Sequence, residues 1–134
     1  MTSQPPFARI YKNAWFEKFA RKEKIEDATL VEAIRNAEKG LIDADLGGGV
    51  IKQRVARPGA GKSGGYRTII LYKAQDLAVF VYGFAKNDKA NLEPDELKEY
   101  RLAAGLVLGL TEAQIAAQVE AGKWVKVMCD DEDL

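Results

Sequence analysis

Histidine is missing from the chain altogether. Its absence excludes a Ser–His–Asp triad and any metal site built on imidazole, and it leaves Lys, Arg, Tyr, Asp and Glu to carry acid–base chemistry. No metal and no cofactor is expected. Cysteine is almost absent: Cys129, the single one, cannot form an internal disulfide, which fits a reducing cytoplasm. No apolar run approaches the ~18 residues of a spanning helix, so no membrane is expected. The opening MTSQPPFARIYK lacks the apolar centre of a signal peptide. Net charge is also missing, since 20 Lys and Arg balance 20 Asp and Glu.

What is present is an ordinary globular composition in 134 residues, 47% apolar and 30% charged, enough for one domain with one modest core. The neutral total hides segregated charge. Residues 1–25 carry net +4, residues 26–49 net −4, residues 50–91 net +6 and residues 92–134 net −6. Solvated surface charge is the plain explanation of short runs. The sharper one is a basic surface for a polyanion, with acidic helices keeping the molecule soluble.

Along the chain, residues 1–6 read as a flexible lead closed by Pro5-Pro6, and residues 7–11 alternate as a short strand. Asn13 is placed to cap a helix carrying Trp15, Phe16, Phe19 and Ala20 at helical spacing. Asp27 is expected to cap a second helix, with Leu30, Ala33, Ile34 and Ala37 on one face and Lys39-Gly40 at its end. Strands are expected over residues 50–56, 66–72 and 77–85, the last almost wholly apolar as in a central strand. Glu93-Pro94 opens a further helix, Thr111 with Gln114 signals a capping box, and residues 124–128 form a short strand or extended segment. The fold class is therefore α+β: a small antiparallel sheet with two N-terminal helices on one face, plus C-terminal helices. The single domain 1–134 divides into the lead, a core over 7–92, a helical extension over 93–128 and a mobile acidic tail over 129–134.

Two motifs mislead. Ala56-Arg57-Pro58-Gly59-Ala60-Gly61-Lys62-Ser63 fits a loose phosphate-loop pattern, but that mechanism needs a helix opening at Lys-Ser. Gly64-Gly65 and the strand-like RTIILY follow instead, so residues 57–65 read as a flexible basic hairpin loop. Asp43-Ala44-Asp45-Leu46-Gly47-Gly48 starts like a calcium loop, yet its fifth position is Gly47 and its twelfth is Arg54. The acids and Gly47 to Gly49 suit a turn between helix and sheet.

The sharpest feature is the run from Gly47 to Tyr72, where Lys52, Arg54, Arg57, Lys62 and Arg67 occur with no acid between them. Alternation puts Lys52 and Arg54 on one strand face and Ile51 and Val55 on the other. Hairpin register decides the rest: opposing numbers with an odd sum bring Arg67 to the Lys52–Arg54 side, and an even sum brings Tyr66 there. Lys86 and Lys89 follow the central strand, with Phe84 just before. Such cations can simply keep an exposed sheet soluble by snorkelling. They can also bind phosphate, with Tyr66 or Phe84 stacking on a base. RNA backbone cleavage needs the 2′-OH deprotonated, charge on the phosphate stabilised and the leaving 5′ oxygen protonated. A lysine among cations can act as base, and arginine can hold the developing charge.

The run GLIDADLGGGVIKQRVARPGAGKSGGYRTIILY, then LAVFVYGFAKNDKANL and a Glu-Leu helix, resembles the RelE/HigB-like toxins of bacterial type II toxin–antitoxin modules over about residues 7–128. The resemblance implies a small α+β ribonuclease that enters the ribosomal A site, cuts translated mRNA and is neutralised by a cognate antitoxin. It implies catalytic roles for Lys52, Arg54, Arg67 and Lys86, with Arg67 bracing the scissile phosphate and a strand cation as candidate base. RNA contacts are expected from Arg57, Lys62, Tyr66, Phe84 and Lys89. Related toxins often carry a Tyr or His near the C-terminal end as acid or stacking group, where this chain reads LEPDEL around Glu93. Lys86, Tyr66 or Tyr82 are the substitutes expected for that task. The free toxin is expected to be a monomer in the cytoplasm. Two other classes remain: a ParE-like inhibitor of DNA gyrase, which shares the fold, and a non-catalytic nucleic-acid-binding module.

Overall fold

The computed structural model describes residues 8–57, 61–85 and 92–128, the side chains of residues 57 and 61–64 excepted. In order the elements are β1 (Arg9–Asn13), α1 (Ala14–Glu23), α2 (Asp27–Glu38), β2 (Ala44–Gly47), β3 (Val50–Arg57), β4 (Gly61–Lys73), β5 (Leu77–Ala85), α3 (Pro94–Val107), α4 (Glu112–Glu120) and β6 (Trp124–Lys126). The strands form one six-stranded sheet in the order β2-β3-β4-β5-β1-β6. It is a mixed α/β architecture.

Asn13 ends β1 and starts α1 at once. Its side-chain oxygen accepts a hydrogen bond from Phe16 N at 2.8 Å, and its amide nitrogen donates to Val81 O on β5 at 3.3 Å. Phe16 and Ala20 of α1 and Leu30, Ala33, Ile34 and Ala37 of α2 then pack on Ile51, Val55, Ile70, Ala78 and Phe80 of the sheet. Burying a side chain the size of Phe16 or Leu30 contributes about 1.5–3 kcal/mol each. The opposite face has its own core: Tyr11, Val50, Ile69, Leu71, Leu77 and Val79, covered by Ala104 of α3, Ile115 of α4 and Trp124 of β6.

The sheet differs from the small antiparallel one expected. β1 runs parallel to β5, with Ile10 opposite Ala78 and Tyr11 opposite Val79, because α1 and α2 fill the return path before the meander begins. The two N-terminal helices share one face as expected, and α3 and α4 cover the other. β2, where only a turn was expected, is too short and too rich in Asp and Gly to declare itself by alternation. Asp27 does not cap α2: Glu26 holds that position without a side-chain bond, and Asp27 bonds Lys12 and Met128 N instead. The expected loop over 57–65 is shorter, since β4 begins at Gly61 and Gly61 pairs with Arg57 after a register shift at Val55. Lys62 and Ser63 thus stand in a strand, with no helix to serve a phosphate loop. Pro94 opens α3, and the Thr111–Gln114 capping box opens α4, as expected.

Candidate nucleic-acid interface

The geometry of the basic face follows from one buried amide. Gln53 is 4% exposed and points into the α2 side, where its Nε2 donates to Ala33 O and Leu41 O, both at 3.0 Å, and its Oε1 accepts from Asp43 N at 2.9 Å. Opposite it, Thr68 Oγ1 donates to Gln53 O at 2.8 Å. With Gln53 and Thr68 fixed inward, their neighbours Lys52, Arg54 and Arg67 must face the other way.

The register is the odd one. Lys52 stands opposite Ile69 and Arg54 opposite Arg67, so all three cations share the α3 face. Like charges directly opposite in a sheet cost roughly 0.2–1 kcal/mol. Among the described residues no carboxylate lies within ion-pair distance of Arg54 or Arg67. Gly65 makes the close pairing possible: a Cβ there would sit 2.7 Å from Val55 O and 3.4 Å from Arg54 Cγ.

Among the described residues, half of this face is covered and half is open. Gly47, Gly48 and Gly49 have φ of +86°, +64° and +88°, and the Arg101 side chain lies against the first two while donating from Nε to Leu46 O at 3.0 Å. A Cβ on Gly49 would come within 2.7 Å of Leu108 Cδ1. The C-terminal half of α3 is thereby clamped on the β2–β3 turn. At the other end of the strands Arg54 is exposed and Lys52 and Arg67 are half-buried.

Aromatic rings border the open half. Phe84 stands opposite Arg67 and Tyr82 opposite Ile69, with ring centroids 5.8 Å apart. Tyr82 also meets Tyr100 of α3 at 6.4 Å and Trp15 of α1 at 4.8 Å. Burial, the nearby Tyr82 and the carboxylates Glu96 and Glu99 push the Tyr100 phenol up to about 12, so it keeps its proton at neutral pH.

The structure therefore brings Lys52, Arg54 and Arg67 together and separates others from them. Tyr66 takes the opposite face, 3% exposed, its hydroxyl donating to Glu23 Oε1 at 2.5 Å and its ring edge-on to Phe19. No base can stack there without lifting α1, which corrects the expected role of Tyr66. Phe84 shares the face of Arg67 but is only 4% exposed, so it supports the rim without offering a free ring face. Lys86, Lys89 and the tail from Cys129 onward lie outside the described residues, as do the side chains of Arg57 and Lys62. Trp15 went unread: its spacing with Phe16 and Phe19 suggests core, yet it is 45% exposed. The available signal was its place on the margin of the stripe centred on Phe16 and Ala20.

Among the described residues no three His, Cys, Asp or Glu side chains are grouped to hold a metal ion, and no single helix is long and apolar enough to cross a membrane. Comparison with curated proteins gives no match. Residues 8–127 match the family model RelE, the RelE toxin of the RelE/RelB toxin–antitoxin system.

Proposed function

The chain belongs to the RelE toxin family, and from that premise we propose that it is a HigB-like, metal-independent endoribonuclease that cuts mRNA on the ribosome in the cytoplasm and is held inactive by a cognate antitoxin. The observation that carries this reading is the Arg54–Arg67 cross-strand pair, two cations facing each other beside Lys52 at the uncovered end of the sheet. Two cations that repel each other are complementary to the single charge of an RNA phosphodiester and more so to the transition state of its cleavage, where a second negative charge develops.

In the proposed reaction Lys52, in its neutral form, takes the proton of a ribose 2′-OH. The 2′ oxygen then attacks phosphorus, the bond to the 5′ oxygen breaks, and the products are a 2′,3′-cyclic phosphate and a 5′-OH. Arg54 and Arg67 hold the non-bridging oxygens as their charge grows. Protonation of the leaving oxygen is assigned to Lys86, which follows β5 in sequence. Arg57, Lys62 and Lys89 contribute contacts to RNA phosphates.

The test is cleavage of a defined mRNA on translating ribosomes by the purified chain, mapped by primer extension. Discrete cuts are expected, and Arg67→Ala should lower their rate about 10²–10³-fold while ribosome binding persists. Intact mRNA at stoichiometric protein would overturn the reading. A DNA-damage response on expression, without loss of protein synthesis, would point to the gyrase inhibitor instead.

A further inference from the structure

The open end of the basic face is bounded by an aromatic ring that belongs to the other side of the sheet. β1 pairs with β5 only as far as Lys12 opposite Phe80, while β5 continues to Ala85. Its last residues, from Val81 onward, thus have no β1 neighbour, and α1 begins beside this gap because Asn13 ties its first turn to Val81 O. Trp15, in that first turn, wraps around the bare edge of β5. It stacks on Phe19 with centroids 5.2 Å apart and planes 16° apart, and it meets Tyr82 at 4.8 Å. Phe19 fits so closely against the strand that a Cβ on Gly83 would lie 2.6 Å from its ring. The platform is therefore buttressed from behind.

Trp15 nevertheless keeps 45% of its surface exposed, whereas the other tryptophan, Trp124, keeps 8%. Burying the whole ring would be the cheaper arrangement for a merely structural indole. Tyr82 stands one strand repeat from Phe84, the residue opposite Arg67, which is about 7 Å along the strand. A nucleotide whose phosphate sits between Arg54 and Arg67 can place a neighbouring base over this rim.

We propose that Trp15, braced by Phe19 and Tyr82, is a stacking platform for one unpaired base next to the scissile phosphate; the inference rests on the nuclease reading above. Stacking is tolerant of base identity, so the platform would set position more than sequence preference.

The experiment compares cleavage on ribosomes programmed with an intact mRNA and with mRNAs carrying one abasic nucleotide at each position beside the cut. The wild-type chain should lose about tenfold in kcat/KM at one abasic position. Trp15→Ala should lose about tenfold on the intact mRNA and nothing further on that abasic one, while Trp15→Phe stays within about threefold of wild type. If Trp15→Ala fails to fold, the wild-type abasic profile together with Trp15→Phe decides. Trp15→Ala cutting as fast as wild type, or keeping the full abasic penalty, overturns the platform alone. So does a wild-type chain indifferent to every abasic position. If the wild-type chain leaves intact mRNA uncut, the nuclease reading falls first and the platform with it.

Discussion

The two faces of the sheet follow opposite rules at the end where β3, β4 and β5 run past their neighbours. On the α1–α2 face the inward polar groups of β3 and β4 are answered: Gln53 and Thr68 bond backbone, Tyr66 bonds Glu23, and Phe16 and Phe80 fill the space between, 5.1 Å apart. On the α3 face the covering helix stops short, and Arg54 and Arg67 meet across two strands without a carboxylate among the described residues. One set of backbone hydrogen bonds supports both arrangements. The difference shows where stability is made and where it is given up for binding: an unsatisfied like-charge pair persists only if the rest of the fold over-determines it.

That contrast breaks most visibly through the helix face. Phe16→Ala should destabilise the chain by about 3–5 kcal/mol, since it empties the contact between α1 and Phe80. Chemical denaturation checks it, and any loss of cleavage should follow the folded fraction. The basic face should respond the other way round. Arg54→Ala should cost about 10²-fold or more in cleavage while leaving the urea midpoint unchanged or slightly raised, because removing one arginine relieves a repulsion of roughly 0.2–1 kcal/mol. A stability loss as large as that of Phe16→Ala would mean that Arg54 is a structural residue and would erase the distinction between the faces.

Much of the frame was legible because it is written in local chemistry. Asn13 before an apolar helical run, Pro94 after an acid, and the Thr111–Gln114 box mark helix starts by the donors they satisfy. The apolar run from Leu77 to Ala85 marked the interior strand. The partnership of Lys52, Arg54 and Arg67 was legible only as two alternatives, because alternation fixes faces within a strand and not register between strands. The choice rests on Gln53 and Thr68, whose inward hydrogen bonds no periodicity could reveal. The parallel entry of β1 was hidden for the same reason: five residues alternate alike in either direction. Trp15 was hidden because an aromatic one step off an apolar stripe reads as core until the end of the neighbouring strand is known.

The smallest effect expected is one of pH. Lys12 is 8% exposed on the α1–α2 side and lies 2.7 Å from Glu17 Oε1 and 3.1 Å from Asp27 Oδ1, while Asp27 Oδ2 accepts from Met128 N at 2.9 Å. Glu17 Oε1 has no well-angled hydrogen bond, so the ammonium charge is its compensation. That ammonium, then burial in opposition, then Arg21 hold the Glu17 carboxyl below its ordinary 4.5. Burial lowers the Lys12 ammonium, but Glu17 and Asp27 outweigh it and leave the group above its ordinary 10.5. A depressed carboxyl stabilises fully above its unfolded value and loses this as pH falls through the folded one. A raised lysine stabilises fully below its unfolded value and loses this as pH rises through the folded one. The pair is therefore complete between 4.5 and 10.5. Glu17→Gln should cost about 1 kcal/mol at pH 7, less than a wholly buried pair because Asp27 still compensates Lys12. The difference should vanish in acid, as urea midpoints at both pH values would show. Cleavage at neutral pH should not change, because the network serves the answered face and reaches neither Arg54 nor Arg67; a cleavage defect in a folded Glu17→Gln chain would join the two faces that the structure keeps apart.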